Sequence, residues 1–231
     1  MLARNWMNPN PVTVSGDTLV SKAKRILLEN SLRALPVVDD AGHLRGLLTR
    51  VNCLRAAEQV ARTEDPHELS YFVNRLRVKD LMVRKPQTIS AQDGIEVPLL
   101  RGMDEGISQF PVVNDDGTVV GVITAHEIFL LAAQILCVQT RWSGLTLAPR
   151  WIKPGLLGQV AAIAEAAGAN LQSIFTLALV GQPDLRKIVL RFTTGDLDRI
   201  TQAVAAAGFE VVEVSSGLGD QSTGHELGLW Q

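Results

Sequence analysis

What the sequence has little of already narrows its function. Only two cysteines, Cys53 and Cys137, occur in 231 residues. Both fall in apolar helical contexts, so reduced thiols are expected rather than a disulfide framework, as in a cytoplasmic protein. Charge of one sign is not in excess: 22 Lys and Arg against 24 Asp and Glu leave a formal net charge of −2. Nucleic acid and acidic membrane surfaces, which attract concentrated Lys and Arg, are therefore not expected partners. No apolar run approaches the ~20 residues of a membrane span; the longest, 128–138, stops well short. Residues 1–7 lack the apolar centre of a signal peptide. The four histidines, His43, His67, His126 and His225, show no metal-ligand spacing with one another or with a cysteine. Neither a Gly-x-Ser-x-Gly elbow nor a Walker-type phosphate loop is present. A catalyst is not expected.

What is present is a duplication. Residues 35–52 read as an apolar strand, the polar turn Asp39-Asp40-Ala41-Gly42, a second apolar strand and the start of a helix. Residues 110–127 repeat the pattern, with Asn114-Asp115-Asp116-Gly117 as the turn. Pro36 and Pro111, Gly42 and Gly117, Gly46 and Gly121, and Thr49 and Thr124 are all 75 positions apart, and so upstream are Met7 and Met82. An ungapped register of that length marks a duplicated module.

Each module reads as strand–helix–strand–strand–helix. In the first (1–62), Val12–Val14 predicts a strand and Thr18–Asn30 a helix capped by Asp17 or Thr18. Strands follow over Leu35–Asp39 and Leu44–Leu48, and Thr49 caps a helix to about Arg62. Residues 63–77 link the modules, with a short helix expected over Pro66–Asn74. In the second (78–137), Gly94, Pro98, Gly102 and Gly106 weaken the first helix, which either starts late or bends at Pro98. Beyond Val138 the repeat is gone. A strand over Val138–Leu147, a loop over 149–155, and a helix over Leu156–Ala167 closed by Gly168 come first. A strand over Asn170–Leu179, a turn at Gly181–Asp184 and a strand over Lys187–Thr193 follow. A helix over Leu197–Ala207 and a strand over Phe209–Val214 complete β-α-β-β-α-β. Residues 215–231, rich in Ser and Gly, read as an unstructured tail. The fold class is mixed α/β (α+β).

The duplicated Pro-Val-Val-Asp/Asn, turn, Gly and Thr pattern resembles a tandem pair of CBS domains, the Bateman module. Residues 138–214, with Lys153-Pro154-Gly155-Leu156-Leu157 and Ala167-Gly168-Ala169-Asn170-Leu171, resemble an ACT domain. The combination is similar to the bacterial acetoin-utilisation CBS–ACT proteins. The CBS resemblance implies a regulatory adenosyl ligand in a cleft between repeats: AMP, ADP, ATP or S-adenosylmethionine. It assigns close backbone approach, phosphate and ribose contacts to Gly46, Thr49 and Asn52 in one repeat and to Gly121, Thr124 and Glu127 in the other. Base contacts fall to Thr13, Ala34 and Pro36, and to Thr88, Gln109 and Pro111.

The usual ribose-binding Asp is here Asn52 and Glu127. The carboxylate keeps two acceptor oxygens and a charge, which favours the Glu127 site. Capping alone would also explain Thr49 and Thr124, and strand packing would explain Gly46 and Gly121. The ACT resemblance places Lys153, Gly155, Leu156 and Asn170 near a small-molecule or dimer interface. The expected function is a non-enzymatic, homodimeric ligand sensor. The alternative is a ligand-free scaffold that docks on an unidentified partner enzyme.

Overall fold

A computed structural model describes residues 1–62, 75–138, 141–193 and 196–217. The expected linker helix over Pro66–Asn74, together with His67, His225 and most of the tail, lies outside the described residues. The chain divides into two compact units, Met1–Leu131 and Ala132–Gln231.

The first unit holds both repeats. Repeat one comprises β1 (Asn8–Pro9), β2 (Val14–Ser15), α1 (Val20–Glu29), β3 (Ala34–Val38), β4 (Leu44–Thr49) and α2 (Arg50–Arg62). Repeat two comprises α3 (Val78–Leu81), β5 (Ile89–Ser90), α4 (Glu96–Glu105), β6 (Gln109–Val113), β7 (Val119–Thr124) and α5 (Ala125–Ile135). β2 pairs parallel with β3, and β5 with β6, across the intervening helix, while β3–β4 and β6–β7 form antiparallel hairpins. The hairpins turn at Gly42 (φ +84°) and Gly117 (φ +83°), a left-handed conformation that suits glycine. Apolar alternation gives way to full burial in the central strands: Leu35, Val37 and Val112 are sealed beneath the helices.

The repeats are joined by exchanging their leading segments about a pseudo-two-fold axis. Asn8 and Pro9 pair with Val122 and Gly121 of repeat two, while Val83 pairs with Leu47 of repeat one. Leu2 pairs with Gly94 and Leu19 with Arg77. At the axis His43 faces Thr118, flanked by reciprocal hydrogen bonds from Leu44 N to Gly117 O and from Val119 N to Gly42 O, each 3.1 Å. Each partner pair is the 75-residue image of the other.

This exchange explains two departures from the sequence reading. The N-cap of α1 is Leu19, not Asp17 or Thr18, and no side chain caps it. Instead Val20 N donates to Leu76 O (2.8 Å), and Asp17 is drawn to Lys79 (2.7 Å). Strand β2 starts at Val14 rather than Val12 because Val37 and Val38 are its partners. Helix α4 starts late, at Glu96. Pro98 then lies in the first turn, where its missing N–H costs no helical hydrogen bond, and Gly106 (φ +68°) closes the helix.

The second unit comprises β8 (Ser143–Trp151), α6 (Leu156–Ala166), β9 (Asn170–Leu179), β10 (Gln182–Thr193), α7 (Leu197–Ala206) and β11 (Val211–Ser216). Its sheet runs β11-β8-β10-β9, all antiparallel, and shares one core with both helices through Leu145, Leu190, Phe192, Val160, Ile200 and Val204. Three boundaries differ from expectation. Strand β8 begins at Ser143 and continues through Pro149 to Trp151, because the pairing with β10 shifts register between Arg186 and Ile188 and so accommodates the proline. The turn is at Val180–Gly181, with β10 already extended at Gln182. Ser215 and Ser216, read as tail, pair with Gly144 and Ser143. Asp196 caps α7 by accepting from Asp198 N (3.0 Å) and Arg199 N (3.2 Å).

Candidate functional site

The first turns of α2 and α5 carry the same local device with different chemistry. Thr124 precedes α5 and Glu127 reaches back to it, accepting from Thr124 N and from Thr124 Oγ1, both 2.6 Å. This is a Thr-x-x-Glu capping box. Its counterpart is Asn52, whose single Oδ1 accepts from Thr49 N (3.0 Å) and Thr49 Oγ1 (2.6 Å). The capping role weighed from the sequence is therefore present at both threonines. The difference lies in what remains. Both cap bonds end on Glu127 Oε2, and Oε1 takes no hydrogen bond among the described residues. Asn52 has no second oxygen to offer.

Glu127 is 7% exposed and lies on the wall of a cavity of about 510 Å³. Ala34 and Pro36 of repeat one line the same cavity with Thr124 and Glu127 of repeat two. The expected cleft between the repeats thus draws Ala34 and Pro36 from one repeat and Thr124 and Glu127 from the other, a different grouping from the assignment repeat by repeat. Thr13, Thr88, Gln109 and Pro111 do not line this cavity; Gln109 is the hairpin partner of Thr124, and Thr88 O accepts from Arg101 (2.9 Å). Thr49 and Asn52 likewise lie elsewhere, at the start of α2.

Gly46 and Gly121 are packed against protein atoms of the other repeat. A Cβ on Gly121 would run into Met7 Sδ and come within 3.0 Å of Asn8 O; one on Gly46 would come within 2.5 Å of Met82 Sδ and 2.8 Å of Val83 O. Each glycine is the seat of the leading segment that crosses from the other repeat. In the second unit Gly155 is the N-cap of α6 at φ +80°, with open space around its α-carbon. There Lys153 O accepts from Leu156 N (3.1 Å), Leu156 packs on the core, and Asn170 Nδ2 donates to Thr193 Oγ1 (3.1 Å).

Sequence reasoning missed Asn8, Asn10 and Arg33, which also line the cavity. Asn8 and Asn10 reach it only because β1 crosses to repeat two, which no local pattern reveals. Arg33 precedes β3 and had no motif around it. Its guanidinium makes no hydrogen bond or ion pair among the described residues, while Arg45, Arg50 and Arg77 are all committed to protein partners. His126, the neighbour of Glu127, lines the cavity as well. Among the described residues no cluster of three metal-ligating side chains occurs, and no helix is long and apolar enough to cross a membrane.

The turn end is electrostatically unequal. Hydrogen bonding from the His43 backbone amide, aided by the Arg45 and His43 side chains, holds the Asp39 carboxyl at a pKa of about 2. At the equivalent position repeat two has Asn114, which cannot titrate.

These features define a duplicated module whose halves exchange leading strands around a cavity. Residues 3–59 and 78–133 each match the CBS domain family, so residues 3–133 are a tandem CBS pair. A CBS domain-containing protein of Dictyostelium discoideum is 24% identical over 136 residues, covering 59% of this chain and 94% of that protein. The crystal structure of Arabidopsis thaliana CBSX2 in complex with AMP superposes with TM-score 0.50 at 25% identity, covering 58% of this chain and 97% of that one. The Vibrio cholerae structure designated an acetoin utilization protein (AcuB) shares the fold at TM-score 0.52 and 21% identity, over 60% and 96% of the two chains. Of several curated relatives that it matches, the chain spans only about a quarter of the length, 22–27%.

Proposed function

We propose that the tandem CBS module is a non-catalytic sensor of an adenosine phosphate, bound in the cavity that contains Glu127. One observation carries this reading: a carboxylate 7% exposed, fixed by its own cap through Oε2 and with Oε1 uncommitted among the described residues, lies on the wall of a 510 Å³ cavity. A ribose diol supplies the two hydroxyl donors such an acceptor needs. Pro36, Ala34 and Val122 give an apolar wall for a base. The AMP complex of CBSX2 supports the ligand class. We read the second unit as an ACT-like regulatory domain on its strand order. We also read the chain as a homodimer, because Leu28, Leu54, Met103 and Phe129 expose large apolar surface at equivalent places in the two repeats. The scaffold alternative draws on Asn52, whose only oxygen is consumed by its cap.

Calorimetric titration with AMP, ADP, ATP and S-adenosylmethionine, for the wild type and Glu127→Gln, tests the sensor. Gln preserves the capping box but removes the charge and one acceptor. Binding of an adenosine phosphate that weakens at least ~10-fold in the variant, the worth of a charge-assisted hydrogen bond, supports it. Absence of binding by every ligand leaves the scaffold.

A further inference from the structure

The two repeats place different residues at the 75-residue images of the cavity wall. Arg33 corresponds to Ser108, His126 to Val51, Glu127 to Asn52 and Asn30 to Glu105. Every group in the cavity able to meet a phosphate with positive charge or an imidazole donor is therefore absent from the image, and a carboxylate stands where Asn30 lines the cavity. Lys85, the image of Asn10, is the one basic gain. The ribose acceptor differs too: Glu127 keeps Oε1 uncommitted, whereas Asn52 spends its oxygen on Thr49. Backbone geometry does not differ in the same way, since the exchange of leading segments, the glycine seats and the threonine caps occur in both halves.

From this we infer that the module takes one nucleotide per chain, with its phosphate read by Arg33 and His126 beside the Glu127 cavity, while the pseudo-equivalent position around Asn52 takes none. The inference rests on the adenosine-phosphate reading of the cavity and adds stoichiometry and the phosphate-reading residues. Arg33 is suited to the task because its guanidinium, five donors in a plane, is uncommitted to protein and can engage two phosphate oxygens. His126 N is fixed by Thr124 Oγ1 at 3.1 Å, which leaves its ring as a further phosphate neighbour on the same turn. Adenosine, which lacks the phosphate, separates these groups from the ribose acceptor.

The experiment is equilibrium dialysis of the full chain with radiolabelled AMP and with adenosine, on the wild type, Arg33→Ser and His126→Val, each a substitution to the residue of the other repeat. Expected results are one AMP per chain at saturation, and a loss of about 10-fold in AMP affinity for Arg33→Ser with adenosine affinity unchanged. A smaller loss in the same direction is expected for His126→Val. Two AMP per chain, or Arg33→Ser weakening AMP and adenosine equally, overturns the inference while leaving the sensor intact. Failure of both AMP and adenosine to bind the wild type removes the sensor reading itself, and the inference with it. Circular dichroism of each variant separates a lost contact from a lost fold, and both positions are exposed enough to keep it.

Discussion

The two CBS repeats have one backbone plan and two sets of cavity-facing chemistry. Positions that hold the halves together are the same in both: Met7 and Met82 on Gly121 and Gly46, the turn glycines Gly42 and Gly117, and the caps Thr49 and Thr124. Positions that would face a ligand are not: Arg33 against Ser108, His126 against Val51, Glu127 against Asn52. Duplication thus preserves what the exchange of segments needs and leaves each pocket face free to diverge. A residue shared by both repeats therefore points first to assembly, and one that differs points first to recognition.

The sharpest way to break this comparison is at a shared glycine. Gly46→Ala should cost ~1–3 kcal/mol by overpacking, because the new methyl meets the Val83 carbonyl as well as the Met82 thioether. Gly121→Ala should cost somewhat less, since the backbone oxygen it meets, Asn8 O, lies at 3.0 Å rather than the 2.8 Å of Val83 O at Gly46, and both glycines otherwise meet a flexible methionine. Urea denaturation of the two variants checks the order, and equal, negligible losses would deny the glycines their seating role. Next, Thr49→Ala and Thr124→Ala should each cost ~1 kcal/mol as lost caps. Only Thr124→Ala should also weaken AMP, and equal effects on binding would erase the distinction between the repeats.

The smallest effect concerns the turns. The Asp39 pKa is about 2 in the fold against an ordinary value of 3.8, so its contribution is full above pH 3.8 and fades as pH falls through about 2. Amide exchange at Ala41 and His43, whose N–H groups donate to Asp39 Oδ1, should accelerate in that window beyond the intrinsic pH trend. The amide of Asp116, the image of Ala41, should follow the intrinsic trend more closely, while Thr118 N, which donates to Asp116 Oδ1 (2.9 Å), should respond as His43 does. Asp39→Asn should remove the difference between Ala41 and Asp116. An identical acid response at Ala41 and Asp116 would contradict this.

Much of this was legible in the sequence, and what was not has a physical reason. The 75-residue register fixed the elements of both repeats because turn chemistry and apolar alternation are local. The start of α1 was misread because its first amide is satisfied by Leu76, a tertiary partner that no local cap pattern reveals. Gly46 and Gly121 were read as ligand contacts for the same reason: the thioethers on them come from the opposite repeat. Of the expected site residues, Ala34, Pro36, Thr124 and Glu127 line one cavity, two from each repeat, whereas the sequence pattern groups them by repeat. In the second unit the element order was readable throughout. The extent of β8 was not, because a proline in a strand is tolerated only beside a register shift, which is a property of the partner strand.

The most direct test of the central claim compares the two helix starts in one experiment. Amide chemical shifts of the isotopically labelled full chain, followed as AMP is added, should move at Thr124, His126, Glu127 and Arg33 and stay still at Thr49, Val51 and Asn52. Movement confined to the Thr49–Asn52 turn, or equal movement at both turns, would contradict a sensor whose single working face is the one built around Glu127.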